Sequence, residues 1–175
     1  MDLINFLKEN KENILKKWFK HISETYHNDT SHFLINKKDP FANPVGGAII
    51  KGLSAILDVI CGEADKKDIS PFIDPVIRIR AIQNFSPSES TAFILFLKDV
   101  VRERFYKESS KENFIDRLLE IETRIDEIVF IAFDIYAECR EKINDIKANE
   151  LKDRTYKAFE RAGLVDKTDK VLQKP

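Results

Sequence analysis

A run of apolar residues spaced four and three positions apart, between about residues 111 and 149, constrains the fold of this chain most strongly. The spaced residues are Phe114, Leu118, Ile121, Ile125, Ile128, Ala132, Ile135 and Cys139. This spacing is typical of a helix that packs along its length against other helices. Residues 128–137 are apolar on every side except at Asp134, so we expect a central helix that is buried by several neighbours. A buried carboxylate needs a partner, which makes Asp134 the first candidate functional residue.

The balance of charge excludes several classes of partner. The chain has 175 residues, with 29 Lys and Arg against 30 Asp and Glu. Because there is no basic excess, nothing indicates a nucleic-acid surface. The apolar runs are far shorter than the roughly 20 residues of a membrane span, and the first ten residues lack the apolar core of a signal peptide. We therefore expect a cytoplasmic protein with no membrane span and no nucleic-acid partner.

The scarcity of helix breakers predicts an all-α fold. Five glycines and six prolines are clustered between long periodic segments, and no alternating strand pattern of useful length occurs. We expect a single-domain helical bundle with about five to six helices and a long C-terminal helix. The predicted segments are a short turn at 3–7 and helices at about 10–26, 44–61, 71–84, 87–106 and 111–149, the last continuing weakly towards 164. Residues 27–43 are predicted to form a loop. The domain is expected to cover residues 1–165, with a flexible C-terminal tail at 166–175.

Two helix starts have specific capping signals. Asn43 followed by Pro44 predicts an N-cap with proline at the first helical position. Ser86, Pro87 and Glu89 predict a capping box, in which serine and glutamate satisfy each other's backbone amides. We expect one helix to end just before this box and another to begin there.

Three glycines lie on the helix predicted to begin at Pro44, namely Gly46, Gly47 and Gly52. Glycine inside a helix costs stability relative to alanine, so these positions indicate the close approach of another backbone or of a ligand. Helix packing is the favoured interpretation, and a pocket wall is the alternative.

Polar residues inside the apolar helices form the candidate site. They are Arg78, Arg80, Gln83 and Asn84 before the Ser-Pro break, and Asp134, Tyr136 and Arg140 on the long helix. One interpretation is a buried Arg–Asp network that fixes how two helices dock, with Arg80 as the partner of Asp134. The other is a polar floor to a ligand pocket, because a few convergent polar groups in an apolar cavity are typical of such sites. The structural interpretation is favoured.

No arrangement of residues indicates catalysis or a cofactor. The three histidines all lie in the first 32 residues, too loosely spaced for a metal site and too early for the mid-chain ligand of a haem. No nucleophile motif has a histidine nearby, and Gly46-Gly47 lacks the lysine and spacing of a phosphate-binding loop. Cys61 and Cys139 are interpreted as two reduced core thiols. We therefore expect a non-enzymatic protein with no cofactor and no metal.

The abundance of phenylalanine supports an alternative function. Thirteen phenylalanines are present beside one Met and one Trp. The alternative is a small-molecule or cofactor-binding helical protein, with an apolar pocket lined by Phe93, Phe96, Phe130 and Phe133. Because a core needs aromatic side chains in any case, this alternative ranks behind a role in protein contacts.

Several short motifs together resemble a known family. They are the stretch from Asp39 to Pro44, Arg80-Ala81-Ile82-Gln83-Asn84-Phe85-Ser86-Pro87, Phe133-Asp134-Ile135-Tyr136, Cys139-Arg140-Glu141 and Asn149-Glu150, with Trp18 in the first main helix. The chain resembles the N-terminal domain of RsbT co-antagonist proteins of the RsbRD type, the input domain of stressosome-type signalling proteins. The resemblance covers roughly residues 5–160.

The resemblance implies a stress-response sensor domain that is all-helical and globin-like but haem-free. It implies a homodimer formed through the long helices, and an output domain in signalling relatives. The chain ends at Pro175 without room for such an output domain, so we expect a stand-alone version. Such a version would act through protein–protein contacts with an unidentified signalling protein.

Overall fold

The all-α prediction is confirmed by the architecture of the chain. The computed structural model describes residues 3–36, 39, 41–108 and 114–164, with residues 104–108 and 114 described by their backbone alone. The helices are α1 (Leu3–Glu9), α2 (Lys11–Glu24), α3 (Asn28–Asn36), α4 (Pro44–Ile60), α5 (Ser70–Ile82), α6 (Pro87–Ala92), α7 (Phe96–Glu108) and α8 (Phe114–Arg161). Short 3₁₀ turns at Lys66–Asp68 and Phe93–Leu95 precede α5 and α7.

Two compact units divide the chain. The first unit is Met1–Ala137, and the second is Glu138–Pro175. In its described part, the second unit consists of the remainder of α8 and a short stretch that follows it. The predicted tail at residues 166–175 lies outside the described residues.

The cap predicted at Asn43 is confirmed and has a second role. The Asn43 side-chain oxygen accepts a hydrogen bond of 2.8 Å from the Gly46 amide, and Pro44 occupies the first helical position. The Asn43 side-chain nitrogen donates to the Leu34 carbonyl oxygen at 3.1 Å. One buried side chain therefore starts α4 and ties it to α3.

The capping box predicted at Ser86 is also confirmed. The Ser86 hydroxyl accepts a bond of 3.2 Å from the Glu89 amide, and the Glu89 carboxylate accepts one of 2.8 Å from the Ser86 amide. Just upstream, Asn84 adopts a left-handed backbone with φ 62°, and the Phe85 amide donates to the Arg80 carbonyl oxygen at 3.1 Å. This C-terminal turn ends α5 and aims the chain into α6.

Close contact between α4 and α5 explains one of the glycines. A Cβ atom on Gly52 would lie 3.0 Å from the Phe72 carbonyl oxygen and 3.2 Å from a methyl group of Val76. The helix-packing interpretation therefore accounts for Gly52. Trp18 of α2 is fully buried and donates its indole N–H to the Phe93 carbonyl oxygen at 2.6 Å.

Two details of the predicted helices are wrong. The predicted loop at 27–43 contains α3. This helix was missed because its sequence is mostly polar, and Leu34 is its buried residue. The predicted helix at 87–106 is interrupted by the 3₁₀ turn Phe93–Leu95. The long helix extends to Arg161, which agrees with its predicted weak continuation beyond residue 149. Residues 109–113, near the break predicted between the helices at 87–106 and 111–149, lie outside the described residues.

Six of the eight residues in the buried seam predicted for α8 are confirmed, but the all-round burial of the helix is wrong. Leu118 is half-buried, and the side chain of Phe114 lies outside the described part of the chain. The side chains of Ile121, Ile125, Ile128, Ala132, Ile135 and Cys139 are all buried. In contrast, Phe130 is 69% exposed and Phe133 is 48% exposed. The middle of α8 therefore packs on one side and presents phenylalanine to solvent on another.

Candidate functional site

A fully buried arginine lies at the centre of the first unit. Arg80 of α5 has no exposed surface, and its guanidinium carbon lies 4.1 Å from the ring centroid of Phe85. The rings of Tyr26 and Phe93 lie at 5.0 and 5.9 Å from the same atom. We call Arg80 with these three rings the arginine node. A cation above aromatic faces is stabilised by the ring quadrupoles, which partly offsets the loss of water.

Polar contacts of the node are made by neutral oxygens. Arg80 Nη2 donates to the Glu89 carbonyl oxygen at 2.9 Å and to the Thr25 hydroxyl at 3.0 Å. Nε and Nη1 are buried and have no hydrogen-bond partner among the described residues. Burial lowers the pKa of Arg80 below its ordinary value, and Tyr26 and then the carboxylate of Glu89 oppose that shift. The node therefore holds a costly cation that joins α5 to α6 and to the end of α2.

The long helix reaches the arginine node through Tyr136. The Tyr136 hydroxyl donates a bond of 2.7 Å to the Phe85 carbonyl oxygen, and its ring is buried. Because the Phe85 ring also lies against Arg80, Phe85 contacts two of the predicted site residues, Arg80 and Tyr136. Of the seven predicted polar residues, the structure brings together Arg80 and Tyr136.

The predicted pairing of Arg80 with Asp134 is wrong. Asp134 is exposed on α8, on the same side as Phe130 one turn earlier. Its position in an apolar run suggested burial, but that side of the helix faces solvent. Arg80 instead satisfies its contacts with a carbonyl, a hydroxyl and aromatic rings.

The other predicted site residues lie apart from the node. Arg78 Nε forms an ion pair of 2.7 Å with Asp74, one turn earlier on α5. Gln83 and Asn84 are exposed at the end of α5. Arg140 is partly exposed and belongs to the second unit.

Four carboxylates of α8, those of Glu120, Glu122, Asp126 and Glu127, form ion pairs. Glu120 pairs with Arg124 on α8 itself, and the other three pair with cations of other elements. Asp126 pairs with Lys98 at 2.6 Å, and Glu122 accepts from Arg102 Nε at 2.6 Å, both from α7. These pairs fasten the outside of the α7–α8 contact, each with the modest stability of a partly exposed ion pair.

The predicted phenylalanine-lined pocket is wrong. Phe93 is buried in the arginine node, and Phe96 stacks on His21 with ring centroids 4.6 Å apart. Phe130 and Phe133 are exposed on α8. These four side chains therefore do not line a common cavity.

An apolar cavity of about 950 Å³ lies elsewhere, between α2, α3, α4 and α5. Its walls are formed by Lys16, Phe19, Lys20, Leu34, Ile35, Asn43, Pro44, Gly46, Gly47, Ala48, Ile50, Lys51, Pro71, Phe72 and Pro75. Gly46 and Gly47 were the sequence signal for it, through the alternative interpretation as a pocket wall. The remaining walls come from α2, α3 and α5. The apolar periodicity of each helix does not show that these helices border the same cavity.

The cysteines and acidic groups offer no metal centre within the described residues. Cys61 and Cys139 are both free and buried, as core thiols would be. Burial, and then the nearby carboxylate of Glu63, raises the pKa of Cys61 from 9.0 to about 11. No cluster of three or more His, Cys, Asp or Glu side chains suited to a metal ion occurs in residues 3–36, 39, 41–108 and 114–164.

Fold and site together define an all-α domain in which a long helix is fastened to a buried arginine node. The chain belongs to the family described as the RsbT co-antagonist protein RsbRD N-terminal domain, whose model matches residues 12–151. That family suggests a stressosome-type regulatory input domain.

One curated relative bears on this chain. A protein from Archaeoglobus fulgidus, described as uncharacterized, is 32% identical over 89 residues, which are 50% of this chain and 55% of the relative. The chain therefore spans about half the length of that relative. No solved structure matches the chain, and the globin-like arrangement implied by the resemblance stays a prediction. Within the described part of the chain, every helix is too short or too polar to cross a membrane.

Proposed function

We propose that this chain is a non-enzymatic regulatory input domain that acts through protein–protein contacts in the cytoplasm and pairs as a homodimer through α8. Family membership supports the regulatory role. The observation that carries the dimer is the apolar side of α8 that remains in contact with solvent. Large exposed apolar patches are typical of interaction surfaces.

The exposed side of α8 in the first unit has helical spacing. We call Ile115, Leu119, Phe130 and Phe133 the outer face of α8. All four are exposed, Phe130 and Phe133 by 69% and 48%. Leu119, Thr123, Asp126, Phe130 and Phe133 follow one another at intervals of four, three, four and three residues. This is the heptad spacing of a helix that packs against another helix, and it runs beside the buried seam rather than through it.

The second unit also has large apolar side chains that are exposed to solvent. Ile146, Leu151 and Phe159 are exposed by 60%, 67% and 47%. A single helix that presents such side chains to water gains stability when a second helix covers them. The second unit therefore supports the same proposal independently of the outer face.

The arginine node supplies a route from the interior of the first unit to α8. The hydrogen bond from Tyr136 to Phe85 fixes α8 next to the turn that holds Arg80. A change of packing at the node would move the residue that α8 is bonded to. We propose that signalling uses this contact, since a regulatory domain needs a physical link between its interior and its interaction surface.

Light scattering after gel filtration tests the dimer. The chain has a mass of 20.3 kDa, and we expect twice this mass for the wild-type protein at tens of micromolar. Phe130→Glu places a charge at the centre of the outer face and should give the mass of one chain. Phe41→Glu is the matched control, because Phe41 is 97% exposed and lies outside α8. A monomeric wild-type protein, or dimers of equal strength in all three proteins, would contradict the proposal.

A further inference from the structure

The cavity between α2, α3, α4 and α5 has the size and lining of a ligand site. Its volume of about 950 Å³ falls at the upper end of the range of roughly 300–1,000 Å³ usual for small-molecule pockets. Phe19, Leu34 and Phe72 contribute apolar walls from three different helices. A ligand with a sizeable apolar part would therefore find contacts on several sides.

Several wall residues are large apolar side chains that water reaches. Ile50 and Phe72 are 48% and 49% exposed, and Ile35 is exposed to a similar degree. These side chains come from α4, α5 and α3, yet they border the same cavity. Covering them with an apolar chain would remove their surface from water, at about 25 cal/mol per Å². The apolar part of the ligand is therefore expected to contact Ile35, Ile50 and Phe72.

The charges around the cavity have one sign. Lys16 and Lys20 on α2 and Lys51 on α4 are its ionisable wall residues among those described, and no carboxylate is part of the wall. Lys20 is 3.7 Å from Glu24, but both side chains of that pair are largely exposed, so the pair is weak. Three ammonium groups beside an apolar wall favour an anionic group on the ligand.

Gly47 enlarges the cavity without a backbone reason to be glycine. A Cβ atom there would meet no atom within 4 Å, whereas one on Gly46 would lie 2.4 Å from the Asn43 side chain. Glycine in a helix is less stable than alanine by about 1 kcal/mol, so close packing does not account for Gly47. Its missing side chain leaves open space along the α4 wall. Filling that space is a direct way to block the cavity.

We propose that this cavity binds an amphiphilic anion, a long apolar chain that ends in a carboxylate or phosphate group. The chain lies along Ile35, Ile50 and Phe72, and the anionic group contacts Lys16, Lys20 and Lys51. The ligand is either a free fatty acid or the equivalent part of a membrane lipid, since both have this chemistry. Binding at this cavity goes beyond the proposed regulatory role and does not depend on dimer formation.

Calorimetric titration of the full chain tests the proposal, with octanoate, decanoate and dodecanoate below their micelle concentrations. Each added methylene should tighten binding about fourfold, because burying one methylene contributes about 0.8 kcal/mol. Dodecanol has the same chain without the charge and should bind at least tenfold more weakly. A parallel titration with vesicles containing anionic lipid distinguishes a lipid source from a free fatty acid.

Matched variants separate the cavity from unspecific binding. Gly47→Phe should abolish binding, while Gly47→Ala should retain it and stabilise α4. Lys51→Glu should weaken binding at least tenfold, and Lys16→Gln should weaken it more than Lys17→Gln, whose side chain lies outside this cavity. Circular dichroism confirms that each variant is folded. Lys51→Glu keeps the test valid if Gly47→Phe does not fold, because Lys51 is exposed.

The outcomes are distinct. Saturable binding of dodecanoate that is lost in Gly47→Phe or Lys51→Glu supports a free fatty acid. Binding to anionic vesicles alone, with the same loss in the variants, supports a lipid source. No binding to either probe, or equal binding in the folded variants, would overturn the proposal. A wild-type protein that is monomeric but binds dodecanoate would contradict the proposed dimer and support the ligand site.

Discussion

The hydroxyl of Tyr136 donates a 2.7 Å hydrogen bond to the carbonyl oxygen of Phe85, 51 residues earlier in the chain. The Phe85 ring lies 4.1 Å from the guanidinium carbon of Arg80. A single residue thus joins the long helix to the buried cation. The bond joins α8 to the turn that follows α5.

Loss of this bond should have a measurable cost. Tyr136→Phe leaves the Phe85 carbonyl without its donor, and we expect a loss of about 1–2 kcal/mol in the free energy of unfolding. Tyr156→Phe, on the second unit, is the control and should change stability by less than about 0.5 kcal/mol. Urea denaturation followed by the fluorescence of Trp18 measures both. Equal stability of the two variants would mean that the bond contributes nothing.

Two substitutions at Arg80 separate the stability that comes from its packing from the stability that comes from its charge. Arg80→Ala removes both the packing of the three rings and the donors to Glu89 and Thr25, so we expect a loss of about 3 kcal/mol or more. Arg80→Met keeps a long side chain against the rings and removes a buried cation, and its loss should be no more than about half as large. Thermal and urea unfolding compare the two. If Arg80→Met is as damaging as Arg80→Ala, the charge itself is required.

The raised pKa of Cys61 leads us to expect that the free energy of unfolding falls at alkaline pH. Its pKa is raised from 9.0 to about 11 in the folded chain, because burial and then Glu63 disfavour the thiolate. The unfolded chain therefore loses this proton first as pH rises, so the contribution of Cys61 is fully present below pH 9 and is lost towards pH 11.

Urea denaturation at pH 8 and pH 10.5 measures this effect in the wild type and in Cys61→Ala. The wild type should lose more stability between the two pH values than the variant does. The thiol of Cys61 should also react slowly with iodoacetamide at pH 8, because it stays protonated and buried. An identical pH dependence in both proteins would contradict the raised pKa.

Local signals in the sequence were sufficient for the helix starts and for the buried seam. The cap at Asn43 and the capping box at Ser86 involve residues three positions apart, so the pattern contains all the participants. The seam through Ile121, Ile125 and Ile128 follows from helical geometry in the same way. Such features need no knowledge of the rest of the fold.

The candidate site is formed by residues that are distant in the sequence. Their contacts could not be predicted from local patterns. Arg80 was identified as important, but its partners are Thr25 and Glu89 rather than Asp134. Hydropathy does not distinguish an apolar helix side that packs within the chain from one that faces solvent. For that reason Asp134 was predicted to be buried, and the exposure of Phe130 was missed.

The cavity was predicted only as an alternative interpretation of the glycines on α4, for a related reason. Its walls come from four helices, and each wall residue is ordinary on its own helix. Gly46 and Gly47 indicated that something approached α4, but a glycine does not identify the neighbour. The structure separates the two cases, since Gly52 faces the backbone of α5 and Gly47 faces open space.

Disulfide trapping across the outer face of α8 tests the proposed dimer most directly. Cys61 and Cys139 are first replaced by alanine. Single cysteines are then introduced at three outer-face positions, as Leu119→Cys, Phe130→Cys and Phe133→Cys, and beside them as Thr123→Cys. Glu12→Cys on α2 is the control at an exposed position. A disulfide forms readily only where two Cα atoms lie within about 7 Å, so only positions at which the paired helices meet should cross-link fast. We predict that at least one outer-face cysteine gives a disulfide-linked dimer many times faster than Glu12→Cys. Equal, slow rates at all five positions would contradict the account.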